Sequence, residues 1–342
     1  MKLISNLRPR FVACGLLAVV SLSRAVAAAD SNPTPVVLAV DGIKVVRNLP
    51  VLLADRLGYF KDEGLAVTFK ETAAEPQIDD MLMDGRIAGM VAYYHHTIVA
   101  QVEEGKTMEA VVTLAVTPGY KVLVAAPLKD KVSGLADLKG KRIISGGPHS
   151  AKSTSANWLV LHAGYQPSDY TRLSTGDKVK IAESLKNGEA DFVIAPEPDA
   201  SSYLAQGVAA PFADLYSVEG TRKALGSVFP SSVLYMSADY VKANPELAQH
   251  LVNALVRTLK YINTHSAAEI KKSVPDIVSG EAKDPKVLDE GVKMFATDGL
   301  MPPDAAAMEA KVVFVLFPQY KNVKIEQTFT NEFVAKALKS GM

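Results

Sequence analysis

The residues of this chain that could do chemistry collect in a few short stretches. One is Gly146-Gly147-Pro148-His149-Ser150-Ala151-Lys152-Ser153-Thr154. An apolar strand at 142–145 leads into the glycines, and a helical pattern follows through Trp158 and Leu161. A strand, a glycine turn and a helix start together present free backbone N–H groups to an anion. Gly147 lets backbone come close to a ligand, and the hydroxyls of Ser150, Ser153 and Thr154 could add donors. The stretch is one residue short of the nucleotide phosphate loop G-x-x-x-x-G-K-[ST], with Ala151 where the second glycine stands. Alanine resists the left-handed backbone that glycine adopts there. No strand ends in an acidic residue where a magnesium partner would be needed. Two readings stay open: a helix start that binds an anion or hydroxyl, and an ordinary capped helix.

A second stretch is Tyr93-Tyr94-His95-His96-Thr97, just after an expected strand. Tyr93 and Tyr94 offer flat apolar walls with polar tips. His95 and His96 could donate to an acid, titrate near neutral pH or take a metal. Adjacent residues on a helix do not face one another, and no metal-ligand spacing appears nearby; no metal site is expected. Arg47 and Asn48 lie in the loop after the first strand, where arginine is a bidentate clamp for carboxylate or sulfonate. Tyr120 follows the turn Thr117-Pro118-Gly119. Glu197 sits in a turn before a helix, placed to bind an amine or hydroxyl or to fix its own loop. For each of these a bland reading stands beside the functional one: core packing for the rings, a solvated surface for the charges.

No catalytic set emerges. The chain has no G-x-S-x-G and no H-E-x-x-H, and its one cysteine is Cys14. No enzyme activity and no cofactor is expected. Lys+Arg and Asp+Glu are both 37, so there is no basic excess to suggest nucleic acid.

The elements that must position these residues start after an expected export signal at 1–29. Lys2, Arg8 and Arg10 precede an apolar run of about a dozen residues, too short to span a bilayer, and small-residue cleavage patterns end at Ala27 and Ala29. Removing it takes away Cys14 and four basic residues, leaving 33 basic against 37 acidic side chains, a net of about −4. Strands are expected at 36–40, 65–69, 87–92, 108–116 and 120–126, alternating with helices. One of those helices opens at Pro50 and carries its apolar stripe to Phe60. A second alternating series runs from 142 to 216, with a strand at 231–236 after it. From 245 on the chain reads as helical, at 245–264, 267–273, 286–296, 304–317 and 331–339. Strands alternating with helices imply α/β units on mostly parallel sheets flanked by helices. Ligands of such sheets bind beyond the carboxyl ends of the strands.

Several segments carry a resemblance. Pro50-Val51-Leu52-Leu53-Ala54, Gly58-Tyr59-Phe60 and Glu63-Gly64-Leu65 come first in the chain. Leu135-Ala136-Asp137-Leu138-Lys139-Gly140-Lys141, Gly188-Glu189-Ala190-Asp191 and Glu197-Pro198 follow. In this order they resemble the solute-binding proteins of nitrate, sulfonate, taurine and thiamine-precursor ABC importers. The resemblance spreads over roughly 36–260. One departure stands at Gly85-Arg86-Ile87-Ala88, where the family pattern has an aspartate in place of Ala88.

The resemblance implies a type II periplasmic-binding-protein fold of two α/β lobes joined by a hinge of two strands, at 122–126 and 228–235. The first lobe would be 31–124 plus 228–342 and the second 125–227. It further implies a monomeric periplasmic protein that hands a small ligand to an ABC permease and its ATPase. The aromatic residues with Arg47 and the 150–154 helix start favour an organic anion with a ring or apolar body. Some fungal members of the broad fold make a thiamine pyrimidine from their own histidine and carry a cysteine-rich motif, which this chain lacks. Such a pyrimidine-precursor role, or metal capture by His95 and His96, is the alternative.

Overall fold

The computed structural model describes residues 32–43, 45–71, 78–103, 106–148, 150–273 and 285–341. The expected export signal, with Cys14, lies outside the described residues.

In chain order the strands are β1 (Thr34–Val40), β2 (Leu65–Glu71), β3 (Gly89–Ala92), β4 (Met108–Ala115), β5 (Tyr120–Ala125), β6 (Arg142–Ile144), β7 (Thr171–Leu173), β8 (Phe192–Ala195), β9 (Ala209–Leu215) and β10 (Ser232–Ser237). They form two sheets, ordered β2-β1-β3-β10-β4 and β7-β6-β8-β5-β9. β1 runs parallel to β2 and β3, and β10 is antiparallel to β3 and β4. The second sheet repeats the plan: β6 is parallel to β7 and β8, and β5 is antiparallel to β8 and β9. Two lobes, each a mostly parallel sheet flanked by helices, make the two-lobed periplasmic-binding-protein fold. The reversed strand of each sheet is the one the chain lays down just after leaving the other sheet.

The expected strands at 122–126 and 228–235 correspond to β5 and β10, each built wholly into one sheet. The chain changes sheet just before them, at 116–119 and again across 216–231. β10 is buried along its whole length, Ser232 to Ser237, and Val122 to Ala125 of β5 are buried too. Such continuous runs are the mark of strands covered on both faces.

Three elements differ from the reading of the sequence. The helix opened by Pro50 is Leu49–Arg56. Gly58, at φ 75°, breaks it before a separate turn at Tyr59–Asp62. The helix after the tyrosine–histidine run begins earlier, as His95–Glu103, taking both histidines into its first turn. A helix at Val218–Leu225, capped by Ser217, fills the second crossing where none was expected.

The helix Pro303–Leu316 ties the halves together. Its Ala306, Ala310 and Val313 pack with Met90, Tyr94 and Ile98 of the first lobe. Its Val312, with Met308 and Leu316, joins the core of the second lobe beside Trp158 and Phe229. Burying such side chains contributes roughly 1.5–3 kcal/mol each for the larger ones.

Candidate functional site

A cavity of about 180 Å³ lies between the two sheets. Val46 and Arg47 reach it from the turn after β1, and Tyr93 from the end of β3. Pro118 and Gly119 line it from the crossing, and Tyr120, Lys152, Glu197 and Tyr216 from the second lobe. Val287 and Met294 close one side. Larger hollows of about 580 and 540 Å³ lie on the second lobe alone, lined by residues such as Lys178, Tyr203 and Gln206, or Lys129, Phe212 and Lys223. Neither draws groups from both lobes; the smaller cavity does, and it gathers Arg47, Lys152 and Glu197 with three tyrosines, so it is the candidate site.

Arg47 sits in the short helical turn Val46–Asn48. Its guanidinium donates to the Asp41 carbonyl at 3.0 Å and to Asp41 Oδ2 at 2.8 Å. It lies 4.5 Å from the centroid of the Tyr93 ring, a cation–π contact. Burial opposes its charge, but Tyr93, Asp41 and Tyr120 outweigh burial and hold the guanidinium above its ordinary value. Burial and the nearby Tyr93 push the Tyr120 hydroxyl well up, so it stays a neutral donor. Glu197 is 6% exposed. Its backbone N–H donates to the Tyr216 hydroxyl at 2.7 Å, and its Oε2 accepts from Ser201 N at 3.1 Å. Its peptide bond to Pro198 is cis. The site can therefore offer two cationic side chains, three phenol rings and one carboxylate to a small ligand.

Arg47, Tyr93, Tyr120 and Glu197 are thus brought together. The other residues picked out in the sequence lie elsewhere. Asn48 is fully buried and braces the loop, donating to the carbonyls of Asp41 and Gly42 and accepting from Ser232 Oγ at 3.0 Å. Tyr94 points into the first-lobe core, where its hydroxyl pairs with Thr328. Tyr93 and Tyr94 are neighbours that face opposite ways, which their types alone do not reveal.

Around Gly147 the hydroxyls serve the turn itself. Ser150 Oγ accepts from Ser153 N at 3.2 Å as the helix cap and donates to the Gly147 carbonyl at 2.9 Å. Thr154 Oγ1 donates to the Ser150 carbonyl at 3.3 Å, and Ser153 is buried. The capped-helix arrangement is what the geometry shows here. Among the described residues of this stretch, Lys152 and not a hydroxyl reaches the cavity.

His95 and His96 stack on each other with ring centroids 4.3 Å apart, and His95 lies 5.8 Å from the Tyr93 ring. Burial pulls both imidazoles below their ordinary value. Facing them is Glu309, fully buried in the middle of the Pro303–Leu316 helix, with Oε1 3.8 Å from His95 Nδ1. Burial pushes its carboxyl up to about 8. Among the described residues no three His, Cys, Asp or Glu side chains converge on a metal position.

Lys152, Tyr216 and Glu309 were missed from sequence. Lys152 stood inside a motif already singled out. Glu309 had a usable signal, an acid alone within the apolar run Ala305–Leu316 apart from Lys311. Tyr216 follows β9 and offers no such mark.

The comparisons agree with this architecture. A 4-amino-5-hydroxymethyl-2-methylpyrimidine phosphate synthase of Saccharomyces cerevisiae is 27% identical over 225 residues. That match spans 63% of this chain and 63% of the yeast protein, so the chain covers less than two thirds of the length of this relative. A solved structure from Bordetella bronchiseptica RB50 is 27% identical, with a TM-score of 0.68 over 90% of this chain and 98% of that one. The periplasmic aliphatic sulphonate binding protein of Escherichia coli shares the fold at 16% identity. Its TM-score is 0.65, over 87% of this chain and 92% of that one. The family model described as NMT1/THI5 like matches residues 47–268, well over half of the chain, and the protein belongs to the NMT1/THI5-like family.

Proposed function

We propose that this chain is the exported solute-binding component of an ABC importer, capturing a small organic anion between its lobes and presenting it to a membrane permease and its ATPase. The observation that carries the reading is the convergence of Arg47 and Tyr93 from one lobe with Tyr120, Lys152 and Glu197 from the other. Cations from both sides suit a carboxylate or sulfonate, and the phenol rings suit an apolar or aromatic body. Contacts made from both lobes bind the closed form better than the open one, so the ligand shifts the population toward closure. The volume also bounds the ligand: an apolar cavity of about 150 Å³ holds benzene. We take the lobes to move about the two crossings, with export by the segment at 1–29 and the monomer as the working form.

A thermal-shift panel of carboxylates, sulfonates, aromatic acids, pyrimidines and metal ions tests this. A ligand present at about 100 times its Kd stabilises the fold by about 2.7 kcal/mol. An anion that stabilises and is recovered unchanged supports the reading. A panel in which only a metal ion or an uncharged pyrimidine stabilises would overturn it.

The synthase name carried by the yeast relative favours a second reading, pyrimidine-precursor binding or synthesis. Product formed by the pure protein, or loss of His95 or His96 on incubation read by mass spectrometry, would replace the transport reading.

A further inference from the structure

Buried carboxyl groups nearly always have a hydrogen-bond partner. Glu309 has none among the described residues: it is fully buried, and neither oxygen makes a hydrogen bond. Its Oε1 lies 3.8 Å from His95 Nδ1. That is too long for a hydrogen bond, and a shift of about 1 Å makes one. His95 is the accessible member, its side chain 27% exposed beside Tyr93, a wall of the cavity.

The groups facing this pair can be named. Tyr93 and His96 flank His95. Tyr94 faces Glu309 with its hydroxyl already bound to Thr328. Asp41 and Arg47 act on His96 and are paired with each other. At the far start of the Glu309 helix, Asp304 is held by Ser227 and Arg222. None of these is a charge placed to hold an imidazolium or a carboxylate alone at this spot, and an unpaired buried charge is costly. An acid and a base side by side in such a place have two low-cost states, the neutral pair and the ion pair, which differ in the position of one proton.

We propose that Glu309 stores a proton that passes to His95 when an anion enters the cleft. The bond from the proton to Glu309 Oε1 breaks and one to His95 Nδ1 forms, leaving a carboxylate and an imidazolium. The imidazolium adds a positive charge beside Tyr93 where the anion needs it, and the new carboxylate keeps that charge paired. No proton is taken from solvent. His95 does not itself line the cavity; it then acts on the anion through its charge beside Tyr93, 5.8 Å between ring centroids, and Glu309 is the residue that sets that charge. The inference rests on the anion reading of the cleft.

The test uses the full chain and its Glu309→Gln variant, a near-isosteric change whose folding is checked by thermal unfolding. Spectra with ¹⁵N-labelled histidine, without added ligand at pH 7, are expected to show His95 neutral; an imidazolium already present overturns the proposal. Methanesulfonate and benzoate are then titrated by calorimetry in two buffers of different ionisation heat. The wild type is expected to bind at least one of them with His95 turned to imidazolium and no net proton uptake. Glu309→Gln is expected to bind about tenfold more weakly and to take up close to one proton per anion at pH 6. Equal proton counts in the two proteins, or binding with His95 still neutral, overturns the proposal. Binding of neither anion overturns it as well, by removing the anion reading it rests on. A neutral His95 in the ligand-free spectra then marks that failure as one of ligand class.

Discussion

The Arg47 guanidinium lies over the Tyr93 ring at 4.5 Å while Asp41 holds it through a 2.8 Å hydrogen bond. As the proposed clamp, Arg47 would be set before any ligand arrives, because its rotamer is fixed by a ring on one residue and a carboxylate on another. Such preorganisation reduces the ordering cost of binding. Arg47→Ala is expected to weaken anion binding by a factor of 30 or more, roughly 2–5 kcal/mol for truncating a buried hydrogen-bonded charge. Arg47→Lys keeps the charge but not the planar stacking, and is expected to recover only part of the loss. Calorimetric titration of both variants with the anion found by the thermal-shift panel checks this. Equal affinity in Arg47→Ala and wild type would remove Arg47 from the site.

Trp158 is fully buried, donates its indole N–H to the Leu225 carbonyl at 3.0 Å, and lies 5.2 Å from the Phe229 ring. Phe229 in turn meets Tyr93 edge-on at 6.3 Å. Ligand on Tyr93 is therefore two ring contacts away from the only tryptophan of the chain. Its emission is expected to change in intensity on binding, with little shift in wavelength because water does not reach it. Phe229→Leu is expected to reduce that change while leaving affinity within about threefold.

The Lys121 ammonium bridges Asp214 Oδ1 at 3.0 Å and Glu290 Oε2 at 2.9 Å, joining β5 and β9 to the Pro285–Gly291 helix. Burial works against both carboxylates. For Asp214, hydrogen bonds from Ser217, Tyr216 N and Lys121 outweigh it, and for Glu290 those from Lys293 and Lys121 do, so both sit below the usual carboxylate range. An acid depressed in the folded state contributes stability above its unfolded value, near 4, and loses it as pH falls through the folded value. Lys121→Ala is expected to cost roughly 1 kcal/mol, discounted because the pair is partly solvated, and to flatten the loss of stability below pH 4. Urea unfolding at pH 3, 4 and 7 measures both.

Glu309 has the opposite sign. Its carboxyl, pushed up to about 8 by burial, keeps a proton that the unfolded chain has released above about pH 4.3. The folded state binds more protons over that window, so its share of stability falls as pH rises from about 4 to 8. Glu309→Gln is expected to remove that slope and to raise stability at pH 8 by on the order of 5 kcal/mol, about 1.4 kcal/mol for each unit between the unfolded and folded values. Thermal unfolding of the two proteins from pH 5 to 8 reads it; parallel curves would show that Glu309 is ionised throughout.

Gly291 ends the Pro285–Gly291 helix against Val46, so closely that an added methyl group would run into Val46 Cγ1. Valine has few rotamers with which to yield. Gly291→Ala is expected to cost roughly 1–3 kcal/mol as overpacking. Because Val46 precedes Arg47, it is also expected to lower anion affinity by more than the same change at exposed Gly176 does, where nothing lies within 4 Å.

Much of the fold was legible because apolar runs and glycine stops mark strands and helices directly. Val36–Val40 or Phe192–Ala195 can hardly be anything but buried strand. Strand direction is not written that way. β5 and β10 look like their parallel neighbours, and only the path of the chain between lobes reverses them. The lining of the candidate site was half legible. Arg47, Tyr93, Tyr120 and Glu197 carried functional types in loops after strands, where ligands bind. Asn48 and Tyr94 stand next to Arg47 and Tyr93 in the chain, yet spend their polar groups on internal hydrogen bonds. The choice between the two is made by which way one residue turns, and that depends on partners far along the chain, such as Ser232 and Thr328.

The helix Pro303–Leu316 also sets a schedule. The second sheet is contiguous in sequence and its last strand ends at Leu215, but its core includes Val312. A ribosome adding roughly 5–20 residues per second needs about 5–20 s to make the hundred residues between them. For that time the nascent second lobe carries an uncovered apolar face beside Trp158 and Phe229, and is open to chaperones until the chain is nearly finished.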